Sequence, residues 1–338
     1  MIKNILITGG NGFIGANFIQ YFCKKYSHYN IINVDSLTYA ANLEVNLLMK
    51  KFHNYYFVKG DIADRECIDK IFKRYNIDSI IHFAAESHVD NSIRDPGIFM
   101  KTNIMGTYIL LEVANRYWNN FNNKELSSCR FHHVSTDEVY GSLDIDNDDY
   151  FKENTPYNPS SPYSASKAGS DMIVKSYHRT YGMNVVVTNC SNNFGPYQHD
   201  EKFIPTIIRN IISKKPIPIY GDGKNIRDWL YVKDHCMAID LVFHKGGTGE
   251  SYNVGAKNER TNLEIVKLIY LILNKLNLLQ GVKYESCITF VKDRLGHDRR
   301  YAIDSSKIIN ELKWKPEFNF DVAMEETVKW YLNKYGVR

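Results

Sequence analysis

The segment TGGNGFIG, residues 8–15, decides how the rest of the chain is read. It follows an apolar run, NILITG (4–9), and opens a stretch of helical period from about Gly12 to Lys25. Gly9, Gly12 and Gly15 stand three residues apart. Such a strand-to-helix junction, if built to hold a pyrophosphate, needs a tight turn, close backbone approach to the phosphates, and close packing of helix on strand. The helix start adds free N–H groups and the positive end of a dipole. A glycine pattern alone is weak and can serve a plain turn. Here Asp35 closes the second apolar run, NIINVD (30–35), 20 residues past Gly15. A carboxylate at that distance binds the adenosine ribose hydroxyls of NAD and repels the 2′-phosphate of NADP, so NAD is the expected cofactor. GDI (60–62), after the third run, is expected beside the adenine.

Outward from that loop, strand-length apolar runs alternate with helical segments. YYFVKGD (55–61) precedes a helix near Arg65–Tyr75, and a shorter helix near Leu43–Lys51 lies before it. SIIHFAA (79–85) leads to a long helix from about Ile98 to Tyr117; FHHVST (131–136) and NVVVTNC (184–190) flank one near Ser161–Tyr181. Continuous β-branched strands between helices predict an α/β fold: a Rossmann-type doubly wound parallel sheet covered on both faces. After about residue 190 the rhythm turns irregular, as in PIPIYGDGKNIRDWLYV (216–232), with helical stretches near 233–245, 262–279 and 321–335. The expected organisation is a cofactor domain over 1–190, with later segments returning to it, and a smaller α/β substrate-binding region over 191–338.

The 338 residues are 44% apolar and 24% charged with a net charge of +4, the balance of a globular protein with ample core. That charge suits an anionic substrate but is too small and scattered for a nucleic-acid partner. No apolar run is long enough to span a membrane, and the chain enters its first strand without a leader pattern, so a cytoplasmic enzyme is expected. Six scattered cysteines, with no paired spacing, predict free thiols and no metal centre. The acidic stretch DIDNDD (144–149) has Asp149 where a calcium loop needs glycine and Thr155 where it needs glutamate, so no calcium is expected there either.

Two further patterns carry chemistry. YSASK places Tyr163 and Lys167 four apart on one helix face. A free tyrosine, with a pKa of about 10, is a poor base at neutral pH; a nearby ammonium and an oxidised nicotinamide both favour its phenolate. Chance alone supplies about two such pairs among 24 tyrosines, so position matters more than pattern: this pair follows the fifth strand, where the nicotinamide is expected. HVSTDEVYG (133–141) ends that same strand with a hydroxyl, Thr136, and two adjacent acids, Asp137 and Glu138.

Together these features resemble the extended short-chain dehydrogenase/reductase family and, within it, the nucleotide-diphosphate-glucose 4,6-dehydratases. The resemblance runs nearly end to end, through TGGNGFIG, DSLTYAANLE (35–44), HFAAESHVDNSI (82–93), STDEVYG (135–141), PYSASKAGSD (162–171), NCSNNFGPYQ (189–198), EKFIP (201–205), IYGDGKNIRDWLYV (219–232) and DRLGHDRRYAID (293–304). Two stretches depart from it: Leu295 follows Arg294 where the family often has proline, and residues 142–156 are individual to this chain.

The resemblance implies dehydration of dTDP-glucose or UDP-glucose to a 4-keto-6-deoxy sugar, for deoxysugar synthesis such as that of rhamnose. Tyr163, kept acidic by Lys167, takes the O4 proton while NAD accepts the C4 hydride, and Thr136 holds that oxygen. Glu138 then removes the C5 proton, and Asp137 protonates the hydroxyl leaving C6. Around NAD it implies Gly9, Gly12, Phe13, Ile14, Gly15, Asp35, Ser36, Leu37, Thr38, Asp61, Ile62, Ala84, Ala85 and Thr102, with Asn193 beside the nicotinamide. For the substrate it implies Asn192, Lys202, Arg227, Asn262 and Arg294 on the diphosphate and Ser87 on the sugar. Phe203, Pro218, Ile219, Tyr220 and His297 complete that site near the nucleoside. A 4-epimerase or decarboxylase would share Tyr163, Lys167 and NAD but needs no acid to expel the C6 hydroxyl; a silent NAD-binding sensor needs none of the reactive set. Apolar residues on more than one face of the 98–117 helix predict a homodimer paired through helices.

Overall fold

Strand β1 (Asn4–Thr8) is apolar and buried from Ile5 onward because it lies in the middle of its sheet. The computed structural model describes residues 3–121, 128–145, 148–279 and 281–337, which leaves residues 146 and 147 of the acidic stretch outside. The other strands are β2 (Asn30–Asp35), β3 (Tyr55–Lys59), β4 (Ser79–His82), β5 (Arg130–Thr136), β6 (Val185–Cys190), β7 (Asn192–Phe194), β8 (Ile217–Tyr220), β9 (Ile226–Tyr231), β10 (Ser251–Val254), β11 (Glu259–Thr261) and β12 (Ile288–Val291). Among the described residues the main sheet has seven strands in the order β10-β6-β5-β4-β1-β2-β3, every pair parallel. Ile5 pairs with Ile31 on one side and Ser79 on the other. The order reverses at β1, so the carboxyl ends of β1 and β4 diverge there and open a crevice.

Helices cover both faces. Phe13–Lys25, Phe203–Ile212, Val232–Lys245, Asn262–Lys275 and Phe320–Lys334 share one core, with Phe18, Phe22, Ile208, Ile239, Ile269 and Tyr331 all buried. Arg65–Tyr75, Thr107–Trp118 and Pro162–Tyr181 share the other, around Phe72, Leu110, Trp118, Phe131 and Val174. Each fully buried side chain of this size contributes about 1.5–3 kcal/mol.

The long helix expected over Ile98–Tyr117 forms in three parts: Pro96–Phe99, a π-helical stretch over Met100–Gly106, and Thr107–Trp118. A π turn carries residues out of α-helical register. Here it delivers Asn103, whose amide accepts from Glu86 N at 2.9 Å and donates to Glu86 O at 3.0 Å and Ser166 Oγ at 2.8 Å.

Past residue 190, β7, β9 and β11 form a small sheet in the order β11-β9-β7, and β12 pairs with β8. The helix Val232–Lys245 returns to the main body. There Asp240 accepts from Tyr21 Oη (2.7 Å), Lys25 Nζ (2.6 Å) and Tyr26 Oη (2.9 Å) of the first helix. β10 then adds the seventh strand beside β6. No helix among the described residues is long and apolar enough to cross a membrane.

Candidate active site

The glycine loop is shaped by what it must avoid. Gly9 has φ +73°, and a Cβ there would stand 2.6 Å from the backbone nitrogen of Ala84. A Cβ on Gly15 would run into the Gly9 carbonyl, whereas Gly12, the residue before the helix, meets nothing nearer than 3.2 Å. The loop is thus a bare backbone cradle before a helix N-terminus, which suits phosphates. Asp35 Oδ2 accepts from Asn11 N at 2.9 Å and Oδ1 from Leu37 N at 2.8 Å, which fixes the acid at the end of β2. Burial pushes its carboxyl up, against the pull of those two donors.

A cavity of about 440 Å³ runs along this crevice, lined by Gly9, Gly12, Phe13, Ile14, Gly15, Asp35, Ser36, Thr38, Asp61, Ile62, Ala84, Ala85, Thr102 and Asn193. Thr136, Asp137, Glu138, Tyr163 and Lys167 line the same cavity. Leu37, beside this cavity and not among its lining residues, has a backbone at φ +57° that supplies an N–H to Asp35.

At the end of β5 the chain tightens into a single 3₁₀ turn, Asp137–Tyr140, whose first N–H groups are capped by the Thr136 hydroxyl accepting from Glu138 N at 3.3 Å. Tyr163 sits in the first turn of Pro162–Tyr181, which starts with Ser161 and Ser164 capping each other's backbone and ends at left-handed Gly182. Lys167, 4% exposed, donates from Nζ to Val134 O at 2.9 Å.

The electrostatics split the two acids. Burial, Glu138 and Asp228 push the Asp137 carboxyl well above its usual range. Burial also raises Glu138, but the charges of Arg227 and Lys202 oppose it. Burial, then Glu138, Cys190 and Asp137, push the Tyr163 phenol well above 10, and burial lowers Lys167.

A second cavity of about 280 Å³ adjoins the first; Ser87, Glu138, Asn192, Asn193 and Lys202 line both. Phe203, Pro218, Tyr220, Arg227, Asn262, Arg294 and His297 line the second. Between Pro218 and Tyr220, alternation along β8 turns the Ile219 side chain into the core. The cations are braced by protein oxygens. Arg227 donates to Asp298 O at 2.9 Å and lies over the Tyr301 ring at 4.3 Å. Lys202 Nζ donates to Ser87 O at 2.8 Å, and Arg294 Nε lies 2.6 Å from Asp90 Oδ1.

Several wall residues escaped the sequence reading, among them His88, Asp90, Gln198, Glu201 and Trp229. All lie in segments already singled out, HFAAESHVDNSI, NCSNNFGPYQ, EKFIP and IYGDGKNIRDWLYV; what was missing was any spacing that joins Asp90 to Arg294.

Fold and site together define a Rossmann-type enzyme of the tyrosine–lysine kind, with a polar second cavity beside its glycine-loop crevice. The family model described as GDP-mannose 4,6 dehydratase matches residues 6–327. The dTDP-glucose 4,6-dehydratase of Haemophilus influenzae is 51% identical over 334 residues, 98% of each chain. Among solved structures, the dTDP-glucose 4,6-dehydratase of Bacillus anthracis in complex with NAD superposes with TM-score 0.87 at 45% identity, over 99% of this chain and 98% of that one. DesIV of Streptomyces venezuelae, a dTDP-glucose 4,6-dehydratase with NAD and TYD bound, superposes with TM-score 0.88 at 41% identity, over 99% and 98%. The chain belongs to the GDP-mannose 4,6 dehydratase family, in the branch of nucleotide-diphosphate-glucose 4,6-dehydratases, which are hydro-lyases.

Proposed function

We propose that the chain dehydrates dTDP-glucose to its 4-keto-6-deoxy product in an NAD-dependent, redox-neutral cycle. The observation that carries this reading is the Asp137–Glu138 pair: two adjacent acids beside Tyr163 and Lys167, one pushed further toward its neutral form than the other. The cradle closed to side chains at Gly9 and Gly15, with Asp35 beyond it, fits a dinucleotide. When bound, NAD supplies a reversible hydride acceptor, so oxidation at C4 and reduction at C6 cancel.

The chain's own residues move the protons. Tyr163 takes the proton of the sugar O4, Thr136 holds that oxygen, and Lys167 supplies positive charge beside the tyrosine. The ketone formed at C4 acidifies C5, Glu138 removes the C5 proton, and Asp137 gives its proton to O6, which leaves as water. Glu138 returns its proton to C5 as C6 is reduced. Arg227, Lys202, Asn192, Asn262 and Arg294 grip the diphosphate. Ser87 meets the sugar, and Phe203, Pro218, Tyr220 and His297 frame the nucleoside end. The cofactor side spans 1–190 with the returning segment 232–254, and the rest of 191–338 mainly serves the sugar nucleotide.

An epimerase or decarboxylase has no use for a neutral acid at Asp137, and a sensor has no use for the reactive set. The preference for dTDP over UDP is supported by the name the relatives share. Turnover of dTDP-glucose and UDP-glucose side by side, read as 4-keto-6-deoxy product, tests the assignment; a 4-epimer as the product, or faster turnover of UDP-glucose, would overturn it. The product feeds deoxysugar synthesis such as that of rhamnose, in the cytoplasm. The working unit is a homodimer: Ile98, Met105 and Met172, 39–55% exposed on the adjoining helical segments Pro96–Trp118 and Pro162–Tyr181, are outward apolar residues suited to helix pairing.

A further inference from the structure

Beneath the residues assigned to the reaction lies a buried polar cluster that has no part in the scheme above. Its centre is Asp171, one helical turn past Lys167 on Pro162–Tyr181 and fully buried. Asp171 Oδ2 accepts from Tyr157 Oη at 2.9 Å and from Asn189 Nδ2 at 3.0 Å, and Oδ1 lies 3.2 Å from His133 Nε2. The same Asn189 amide donates to the Thr136 carbonyl at 3.2 Å, so one side chain ties the acid to the turn bearing Thr136, Asp137 and Glu138. Tyr157 in turn accepts from Lys175 Nζ at 3.0 Å.

A carboxylate this deep is costly unless paired, and packing alone is served as well by an apolar residue. The titratable groups around the Lys167–Asp171 pair are His82 of β4, His133 of β5, Cys190 of β6, Tyr140 of the 3₁₀ turn, Tyr157 before the helix, and Tyr163 and Lys175 on it. Burial keeps both histidines neutral and keeps Cys190, Tyr140 and Tyr157 protonated. Burial also pushes the Asp171 carboxyl up, but the His133 imidazole beside it and the charge of Lys167 reverse this and leave it below its usual value. Asp171 is the anion of this group and lies one turn from the Lys167 ammonium on the same buried face of the helix, so its charge favours that ammonium.

We propose that Asp171 is a positioning residue for the reaction: it is the counter-charge of Lys167 and, through Asn189, the anchor of the Thr136–Glu138 turn. The inference rests on the dehydratase reading, and it makes two separable demands. Asp171→Asn should slow the appearance of reduced nicotinamide in a single turnover of dTDP-glucose by about 10²-fold, with KM changed by less than about threefold. Because Lys167 loses the charge that raises its pKa, the alkaline decline of that rate should move down by about one pH unit. Trace acylation of Lys167 by a small amine reagent, read by mass spectrometry without substrate, should shift to lower pH in parallel. Asp171→Glu should restore both profiles. Asn189→Leu keeps the charge, and should slow the transient with its pH profile in place.

An Asp171→Asn protein of parental rate, or one whose rate falls while the Lys167 labelling profile stays put, would overturn the inference as a mere packing effect. Should that variant not fold, a parental rate in Asn189→Leu overturns it alone. A parent that yields no reduced nicotinamide with dTDP-glucose would instead sink the dehydratase reading, and the labelling profile would still decide the Asp171–Lys167 pairing.

Discussion

Replacing Asp137 by Asn separates the acid from the rest of the machinery. The side chain is 1% exposed, and its Oδ2 has no hydrogen-bond partner among the described residues. Burial, Glu138 and Asp228 hold the carboxyl well above its usual range, so Asp137 is favoured as the neutral acid, and a carboxamide reproduces its volume, shape and charge. What the variant lacks is a proton to give. Loss of a positioned acid costs about 10²- to 10⁴-fold, or about 2.7–5.4 kcal/mol of barrier, all of it in the elimination step. Stability should move the other way. An acid whose folded pKa lies above its unfolded one loses stability as pH rises between the two, so the variant should match the parent near pH 4 and equal or exceed it in Tm at pH 7. In a single turnover of dTDP-glucose, reduced nicotinamide should appear at the parental rate and then persist. Glu138→Gln should stall at the same stage and also abolish exchange of the C5 proton with deuterated solvent, whereas Tyr163→Phe should give no reduced nicotinamide at all. Decay of the signal at a near-parental rate in Asp137→Asn would refute the acid assignment and return the pair to an ordinary turn.

Gly9→Ala should cost at least about 1–2 kcal/mol from its left-handed backbone alone, and the clash with Ala84 should abolish co-purifying cofactor; thermal melting and nucleotide analysis of the denatured supernatant check both. In the parent that supernatant should hold NAD(H), and finding NADP(H) there would overturn the reading of Asp35. Asp240 has a carboxyl drawn down to about 2 against burial by His244, Lys25 and Tyr21. A depressed carboxylate stabilises above its unfolded pKa and loses that contribution as pH falls through the folded one, so Asp240→Asn should cost about 1–2 kcal/mol at pH 7, after discounting the half-exposed Lys25, and nothing below about pH 2. Sedimentation should give a dimer mass, and Met172→Glu with Met105→Glu should shift it toward monomer; a concentration-independent monomer in the parent would dismiss the pairing.

Of the first six strands, β1 and β6 were plainest in the sequence because a parallel strand buried on both faces reads as a nearly unbroken apolar run. Helix Arg65–Tyr75 forms over its expected span because Asp64 caps it and Asn76 turns left-handed at its end. β10 escaped for a physical reason: Ser251–Val254 is four residues long with Ser and Asn among them, and its burial comes from pairing with β6 and from the helices, not from its own pattern. Phe203–Ile212 escaped too: Ile204, Ile207, Ile208 and Ile211 fall at helical spacing and are buried, but the helix is only ten residues long and Pro205 near its start reads as a break; Pro205 is tolerated because it falls in the first turn. Nothing in Met100–Gly106 marks a π turn, which answers to Asn103 reaching Glu86 and Ser166.

The site was legible as a set of residues and illegible as a set of charges. Tyr163 and Lys167 meet one cavity because four residues make about one turn, and that arithmetic needs no fold. In the sequence, both Lys167 and an oxidised nicotinamide are expected to favour the Tyr163 phenolate. In the folded chain the phenol is driven up by burial, Glu138, Cys190 and Asp137, and Lys167 is itself pulled down. On the proposed reaction, the acids that would serve elimination therefore oppose the base that would serve oxidation, within one cavity. Those demands are compatible only if positive charge reaches the cavity for the oxidation step and is gone for the elimination. The oxidised and reduced forms of a nicotinamide differ by that charge. On the proposed reaction the cavity that takes the dinucleotide would have to be continuous with the one that holds the acids, and Thr136, Asp137, Glu138, Tyr163 and Lys167 line one cavity with Gly9, Gly12 and Gly15.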